Sequence, residues 1–328
     1  MTHTTIPVVS PRQPTQRHQT LYRIANAAYH VPGGKTLARI MTRHVIQSFP
    51  LSLKNKQRLY NFVAEATAPD RELLASTRDL SNGPLSFKVD LRDDLSRKWY
   101  YWGYSSYESA TVRLFCHLLK TRFCVLDVGA NVGYYTLLAA KALEGRGEVH
   151  AFEPSPRAFQ WLSENARLNA LTCLTLNQAA VSDANGSQPL FLPADLAGTN
   201  ASLIENFTLQ SSSIMTPVLC LDTYCASKVK RPVDLLKVDA EGAELNVLQG
   251  ARSLLQQQRP DIICEVLEPF ADDLDKFFRE YAYRAFLITD SGLIERQEIR
   301  ADPQFRDYYL TCRPQIGADG SAIAPRSA

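Results

Sequence analysis

A lysine and two acids stand where one apolar run of the sequence ends, at Lys237, Asp239 and Glu241. The run, Val233–Val238, predicts a buried strand, and alternate residues of a strand point to the same side. Lys237 and Asp239 should therefore lie near each other, and the ammonium group would keep the carboxylate ionised. An ionised carboxylate can accept a proton from an alcohol. The predicted catalytic residues are Asp239, Lys237 and Glu241.

The acids of this segment also have a structural alternative. A helix is predicted over Ala243–Leu255, and acidic side chains are favoured near the positively charged end at which a helix begins. Helix capping is that alternative for Glu244 and for Asp239. The histidines offer no competing base, because all six precede residue 151, and His150 is expected in the core or on the far face of the sheet.

A second segment, Val125–Tyr135, predicts a buried strand, a turn that contains Gly129 and Gly133, and the start of a helix. Glycines in such a turn would let backbone amides approach a ligand closely. The spacing differs from the Gly-x-Gly-x-x-Gly of a dinucleotide site. Asp127, two positions before the first glycine, would repel a pyrophosphate but would suit the ammonium group of a bound amino acid.

An acid also ends the next predicted strand along the chain, at Glu153. A carboxylate at that position can accept the hydrogens of both ribose hydroxyls. A glycine turn followed by such an acid fits an adenosine that carries no phosphates. The glycine pair alone is more typical of an ordinary tight turn than of a ligand site. Asp127 and Glu153, in step with the strand pattern, shift the interpretation to a ligand site.

Strands and helices alternate around these segments, which predicts an α/β fold with a mainly parallel sheet. Both acidic segments then meet at the carboxyl edge of that sheet, where such folds bind ligands. The predicted strands are Phe123–Val128, Glu148–Phe152, Cys173–Ala180, Val233–Val238, Asp261–Val266, Arg284–Ile288 and Tyr308–Thr311. The predicted helices are Ser109–Leu119, Tyr134–Leu143, Pro156–Asn169, Ala243–Leu255 and Phe270–Tyr281.

The remaining segments complete the predicted organisation. Residues 1–20 are expected to be a disordered terminus and 314–328 a flexible tail. Residues 21–106 are expected to form a mainly helical extension, since apolar residues recur at helical spacing from about Thr20 to Ser76, with a short strand at Phe87–Leu91. Residues 107–313 form the predicted cofactor-binding domain. Within it, Pro193–Pro217 is long and polar, which predicts a substrate lid.

Four segments together resemble the FkbM-type methyltransferases, and the likeness extends over about residues 100–290. They are Val-Leu-Asp-Val-Gly-Ala-Asn-Val-Gly-Tyr-Tyr at 125–135, Ala-Phe-Glu-Pro-Ser-Pro at 151–156, Asn-Gln-Ala-Ala-Val-Ser-Asp at 177–183, and Asp-Leu-Leu-Lys-Val-Asp-Ala-Glu-Gly-Ala-Glu at 234–244. The resemblance implies a class I methyltransferase fold, Rossmann-like, with a mainly parallel seven-stranded sheet and bound S-adenosylmethionine. It places the cofactor at Asp127, Gly129, Asn131, Gly133 and Glu153. The predicted cofactor residues also include Glu108, Ala180 and Asp239. Tyr107-Glu108 resembles the Tyr-Glu that precedes this domain in the family and often closes over the cofactor.

The type of methyl acceptor is narrowed by motifs that the sequence lacks. Neither Asn-Pro-Pro-Tyr nor Asp-Pro-Pro-Tyr follows the Val233–Val238 run, and no Pro-Cys nucleophile occurs there, so methylation of nucleic acid bases loses its usual signature. An O-methyltransferase of a small hydroxylated molecule is the remaining choice. The FkbM resemblance implies a hydroxyl of a sugar, glycolipid or polyketide-like compound.

Two other classes of function stay open at this point. A NAD-dependent oxidoreductase shares the strand, turn and acid pattern, but the third glycine of its site is missing and Asp127 is badly placed for a pyrophosphate. A scaffold that binds a cofactor without catalysis is the other alternative. The intact set of Lys237, Asp239 and Glu241 argues against it.

Composition sets limits on partners and compartment. With 36 basic and 34 acidic residues in 328, the net charge of +2 gives no field that would attract nucleic acid. No apolar stretch predicts a signal peptide or a membrane span. The seven cysteines contain no Cys-x-x-Cys pair, which predicts free thiols, a reducing compartment and a cytoplasmic protein. No metal site is predicted, although a divalent ion at Asp239 and Glu241 remains open.

Overall fold

The computed structural model describes residues 43, 72–77, 83–90, 94–102, 108–193, 201–205 and 210–313. The predicted terminus 1–20, the tail 314–328 and most of the helical extension lie outside these residues. The chain divides into two units, one of residues 1–70 and 100–102 and the other of residues 71–99 and 103–328. In the first unit, the Arg43 guanidinium lies 5.1 Å from the centre of the Tyr100 ring. The elements below belong to the second unit, apart from residues 100–102 at the end of the first helix.

The described elements follow one another in the order that the sequence predicts for an α/β domain. The strands are β1 (Glu72–Thr77), β2 (Leu85–Asp90), β3 (Cys124–Val128), β4 (Glu148–Phe152), β5 (Leu174–Asn177), β6 (Ala180–Val181), β7 (Gly186–Pro193), β8 (Gln210–Leu219), β9 (Leu235–Val238), β10 (Asp261–Glu265), β11 (Arg284–Thr289), β12 (Gly292–Arg296) and β13 (Asp307–Thr311). The helices are α1 (Asp94–Trp102), α2 (Ser109–Leu118), α3 (Tyr134–Leu143), α4 (Pro156–Leu168), α5 (Leu221–Lys228), α6 (Glu244–Gln249), α7 (Arg252–Gln257) and α8 (Ala271–Glu280).

The central sheet has eight strands in the order β12, β11, β13, β10, β9, β3, β4, β5. Strands β5, β4, β3, β9 and β10 are parallel neighbours, and β13 runs antiparallel between β10 and β11. This arrangement is the class I methyltransferase fold. The count exceeds the predicted seven because β12 forms a hairpin with β11. That hairpin closes through the short turn before Gly292, which the sequence pattern did not separate from a loop.

The middle of the sheet is buried on both faces, as expected for parallel strands covered by helices. All residues of β3 and β9 are buried. Their register places Asp127 beside Lys237, and Val128 beside both Phe152 and Val238. The segments that leave these strands therefore start at one edge of the sheet, which brings the two acidic segments of the sequence together.

A second sheet corrects two predictions. Strand β8 pairs with β6 and with β7, and this three-stranded sheet contains residues 210–217 of the predicted lid. The predicted strand Cys173–Ala180 is split, since β5 belongs to the central sheet and Ala180 begins β6 of the second. Part of the segment 193–217 is thus strand rather than loop, while residues 194–200 and 206–209 lie outside the described residues.

Two further elements differ from the sequence pattern. Residues 72–77 continue the helical spacing in sequence but form β1, which pairs with β2. The β2 amides donate hydrogen bonds of 2.7 and 2.8 Å to Asn165 of α4 and to Asn169, which directly follows α4. These contacts favour the strand. The predicted helix Ala243–Leu255 is two helices, α6 and α7, which separate near Gly250. None of the helices among the described residues is long and apolar enough to cross a membrane.

Candidate functional site

A cavity of about 340 Å³ opens at the carboxyl edge of the central sheet, a volume at the lower end of the range for small-molecule sites. All the catalytic and cofactor-binding residues predicted from the sequence line this cavity, except Gly133. The predicted residues that line it are Glu108, Asp127, Gly129, Asn131, Glu153, Ala180, Lys237, Asp239 and Glu241. Tyr107 lies outside the described residues.

The turn from Gly129 to Gly133 uses all its backbone amides within the protein. In chain order they donate to the Phe152 carbonyl twice, to Glu153 Oε2, to Asn131 Oδ1 and to the Ala130 carbonyl, at 2.8 to 3.0 Å. A pyrophosphate is normally held by amides of such a turn that point at the ligand. This turn has none to offer, so its geometry does not suit a dinucleotide.

The two glycines of the turn are required by packing rather than by a ligand. Gly129 has φ 79°, and a Cβ atom on it would lie 1.7 Å from the Asp239 carbonyl oxygen. Gly133 has φ 103°, and its Cβ would lie 2.8 Å from Leu162 Cδ1. The sequence suggested that glycine is needed at these positions so that a ligand can approach. The structure gives another reason, because a side chain at either position would clash with other residues of the protein. The turn after β3 and the loop after β9 touch through their backbones.

Asp127 and Glu153 are buried acids that face the cavity. Burial raises the pKa of Asp127 to about 6, although a hydrogen bond from Thr136 and the charge of Lys237 act in the opposite direction. Burial likewise raises the pKa of Glu153 to about 7, against the effect of amide hydrogen bonds from Ser155 and Asn131. A ligand that supplies hydrogens or positive charge would stabilise the ionised form of both acids.

Lys237 is completely buried and is surrounded by acids. Its Nζ lies 3.1 Å from Asp239 Oδ2 and 3.8 Å from Asp307 Oδ1, and 5.1 Å from the centre of the Tyr135 ring. Burial alone would lower the pKa of this lysine, but the charges of Asp239, Asp307 and Glu108 outweigh it and raise the pKa well above its usual value. Lys237 therefore stays positively charged and orients Asp239.

Glu108 approaches the same lysine from the beginning of α2. It adopts a left-handed conformation with φ 44°, and its Oε2 accepts a hydrogen bond of 2.6 Å from the Tyr135 hydroxyl. Burial and the charge of Asp307 raise the pKa of Glu108 to about 7. The side chain thus connects α2 to α3 across the cavity.

The loop after β9 places Glu241 in the cavity and Glu244 behind it. Glu241 has φ 51°, and burial together with the charges of Asp239 and Glu244 raises its pKa to about 8. Glu244 does not line the cavity. Its Oε1 accepts hydrogen bonds from the amides of Ala240 and Gly242 at 2.8 and 3.1 Å. Both amides belong to the loop before α6, so Glu244 has a structural role, but it holds the loop rather than capping the helix.

Residues 127–285 match the methyltransferase FkbM domain. The chain carries an FkbM methyltransferase domain. Three curated relatives are methyltransferases by name. "Methyltransferase 1" of Beauveria bassiana is 26% identical over 210 residues, which are 58% of this chain and 80% of that one. "Hexuronic acid methyltransferase AglP" of Haloferax volcanii is 26% identical over 149 residues (45% and 58%), and "2-O-methyltransferase NoeI" of Sinorhizobium fredii is 28% identical over 149 residues (41% and 60%). The match spans about three fifths of the length of the last two.

Sequence reasoning missed two acids near the cavity, Glu265 and Asp307. They are directly opposite each other in the register of β10 and β13. Glu265 lines the cavity, and burial and the charges of Asp239 and Glu241 raise its pKa to about 9. Asp307 accepts a hydrogen bond of 2.6 Å from Thr111 and contacts Lys237. Only the antiparallel direction of β13, which the sequence pattern did not show, brings its first residue to this edge.

Two other groups of residues stand apart from the site. His150 is buried, and its Nδ1 lies 2.9 Å from the Tyr224 hydroxyl on α5, which confirms the expected core position. Its pKa is lowered by burial. All seven cysteines are free thiols. In the part of the chain that the structure describes, no group of three or more His, Cys, Asp or Glu side chains is arranged to hold a metal ion.

Proposed function

We propose that the protein is an S-adenosylmethionine-dependent O-methyltransferase that acts on a hydroxyl of a sugar or a sugar-like small molecule. The FkbM domain supports methyl transfer. The observation that carries the choice of cofactor is the turn at residues 129–133, in which every amide is already hydrogen-bonded while two buried acids face the cavity beside it. This combination suits a nucleoside without phosphates.

The residues present fit S-adenosylmethionine. Glu153 would accept hydrogens of the ribose hydroxyls, and Asp127 would face the ammonium group of the methionine part. Three further predicted contacts come from three different elements, and they are Asn131, Ala180 and Glu108. Bound S-adenosylmethionine supplies a methyl group on a positively charged sulfur.

Asp239 is our candidate for the group that accepts the proton of the acceptor hydroxyl. Its side chain is 31% exposed and lines the cavity. The ion pair with the buried Lys237 ammonium fixes its position. Lys237 is excluded as a base because it remains protonated. Glu241 is the second candidate, since its raised pKa makes it a stronger base once it is ionised.

The nature of the acceptor is supported by the names of two relatives, one a hexuronic acid methyltransferase and the other a 2-O-methyltransferase. The segment predicted as a lid also forms part of the cavity wall, since Ala201 and Leu203 line the cavity. Between them Ser202 donates a hydrogen bond of 2.7 Å to the Glu241 carbonyl. We propose that residues 201–203 of this segment contact the acceptor when it binds.

Isothermal titration with S-adenosylhomocysteine and with NAD tests the cofactor. We expect the first to bind and the second not to bind, because the turn offers no amide to a pyrophosphate. Binding of NAD alone would contradict the proposal and restore the oxidoreductase alternative. A screen of hydroxylated glycans and glycolipids with a radiolabelled methyl donor would then identify the acceptor, and a protein that binds the cofactor product but labels nothing would favour a scaffold.

A further inference from the structure

Ser202 is a buried residue that stands between two residues of the cavity wall, Ala201 and Leu203. Its amide donates a hydrogen bond of 3.1 Å to the Phe191 carbonyl of β7, and its carbonyl accepts one of 2.8 Å from the Phe191 amide. This part of the wall is therefore attached to the second sheet through its backbone, and the Ser202 side chain is left for another contact.

The Ser202 hydroxyl connects the wall to the loop after β9. Its Oγ donates a hydrogen bond of 2.7 Å to the Glu241 carbonyl oxygen and accepts one of 2.9 Å from the Ile204 amide. A serine hydroxyl has one hydrogen to donate, and here the Glu241 carbonyl receives it. A single side chain thus links the second sheet to the carboxyl edge of the central sheet.

The backbone of Glu241 has a conformation that needs support. Its φ of 51° lies in the left-handed region, which is unfavourable for a residue with a Cβ atom. Glu244 holds the amides of Ala240 and Gly242, and Ser202 holds the carbonyl of Glu241 between them. Strained backbone persists where the surrounding contacts fix it in this way, and such positions concentrate at functional sites.

The same conformation keeps the Glu241 carboxyl group in an unfavourable environment. The side chain lines the cavity, and burial together with the charges of Asp239 and Glu244 raises its pKa to about 8. Because water would stabilise its ionised form, this carboxyl group should turn toward solvent if its backbone were free to relax. The contact with Ser202 opposes that relaxation.

We infer that Ser202 is a positioning residue, which fixes the Glu241 backbone and thereby holds the Glu241 carboxyl group beside the methyl acceptor. Ser202 does not line the cavity, so it acts through Glu241 rather than on the acceptor. This inference rests on the proposed function and deepens it, because it assigns a role to a residue that touches neither the cofactor nor the acceptor.

NMR of the glutamate carboxyl carbons tests the position of Glu241 without an acceptor. The full chain is labelled with carbon-13 at these carbons, with and without saturating S-adenosylhomocysteine, and Glu241→Gln identifies the signal by its loss. In Ser202→Ala we expect the Glu241 signal to move and the pKa of Glu241 to fall toward its ordinary value, because the carboxyl group gains water. Ser202→Thr keeps the hydroxyl and should keep the signal.

Ser187→Ala is the matched control. It removes a serine hydroxyl of β7 that donates a hydrogen bond of 3.1 Å to the Thr216 carbonyl, and neither residue lines the cavity. The Glu241 signal should not move in this variant. If Ser202→Ala does not fold, Ser202→Cys takes its place, because a thiol is only a weak donor.

Initial rates on an acceptor from the glycan screen measure the effect on the reaction. We expect kcat/KM for the acceptor to fall about tenfold or more in Ser202→Ala, since small displacements of a contacting group are costly, while S-adenosylhomocysteine affinity is kept. In a Glu241→Gln background the same change should cost little more, because both changes act on one group.

The outcomes separate this inference from the proposed function. An unmodified protein that does not bind S-adenosylhomocysteine would overturn the proposed function. Normal cofactor binding, with an unchanged Glu241 signal in a folded Ser202→Ala or Ser202→Cys protein, would overturn this inference alone. Rate losses that simply add in the double variant would also overturn it, since they would show that Ser202 does not act through Glu241.

Discussion

Acids are buried at both the amino and the carboxyl edge of the central sheet, but the ratio of cations to acids differs between the two edges. At the amino edge, Asp261 is shared by two arginines, with Arg122 at 2.6 Å and Arg313 at 3.2 Å, and it accepts a hydrogen bond from Thr311. At the carboxyl edge, one buried lysine, Lys237, is shared by several acids. Acids that are fully paired stabilise the fold, whereas acids in excess of their cations are available to a ligand.

The first way to test this contrast is Asp239→Asn at the carboxyl edge. Removal of a proton acceptor should lower turnover by about 10²–10⁴-fold, while the melting temperature and the affinity for S-adenosylhomocysteine stay near those of the unmodified protein. Lys237→Met should give a related but smaller loss. Initial rates on an acceptor from the glycan screen measure the effect, with the exposed Asp273→Asn as control. Unfolding, or full turnover, would show that Asp239 is structural and would make Glu241 the next candidate.

At the amino edge the expected loss is one of stability. Asp261→Ala leaves the buried Arg122 without its carboxylate, and we expect the free energy of unfolding to fall by about 3–5 kcal/mol. Urea denaturation measures it, and the folded fraction should bind S-adenosylhomocysteine as before. Asp273→Ala, which breaks an exposed ion pair, should cost about 1 kcal/mol or less. A weakened cofactor affinity in Asp261→Ala would contradict the separation of the two edges.

A smaller effect is expected from Glu153→Ala, which removes the acid assigned to the ribose. Loss of charged hydrogen bonds should weaken S-adenosylhomocysteine binding by about 1.5–3 kcal/mol in a calorimetric titration. The variant also leaves the Asn131 amide without its acceptor, so its stability has to be measured in parallel. Glu280→Ala on the surface is the matched control. Unchanged affinity in a folded Glu153→Ala protein would remove the cofactor from this part of the cavity.

The smallest expected effect is the pH dependence of cofactor binding. Because burial raises the pKa of Asp127 to about 6 and that of Glu153 to about 7, both acids take up protons as the pH falls through that range. The ligand favours the ionised forms, so its affinity should decrease about tenfold from about pH 8 to about pH 6, and binding should release protons. Titrations in buffers of different ionisation enthalpy measure the release. A pH-independent affinity would show that neither acid contacts the ligand.

Local patterns were sufficient to predict most of the parallel sheet. The strand Glu148–Phe152 and the helix Tyr134–Leu143 have the predicted bounds, since apolar runs and helical periodicity are properties of neighbouring residues. The gathering of Asp127, Glu153 and Asp239 at one edge also followed, because the carboxyl ends of parallel strands coincide.

What the sequence could not show depends on pairing between distant segments. Strand β8 is polar and rich in serine, and its partners β6 and β7 decide that it is a strand. Asp307 enters the site because β13 is inserted in the antiparallel direction. The sequence also could not show why residue 129 must be glycine, since the atom that excludes a side chain there is the carbonyl oxygen of Asp239, which is distant in sequence.

The contact between Gly129 and the Asp239 carbonyl has a consequence for mutational scanning. Even alanine at position 129 would push the two loops apart, because a single Cβ already overlaps the facing backbone. A scan that scores activity would then report intolerance at 129 and invite the interpretation that this residue touches a ligand, when the damage lies in the spacing of two loops. The same contact couples the loops mechanically. Because the turn at residues 129–133 and the loop that begins at Asp239 are in backbone contact, we expect a displacement of the turn to move that loop as well.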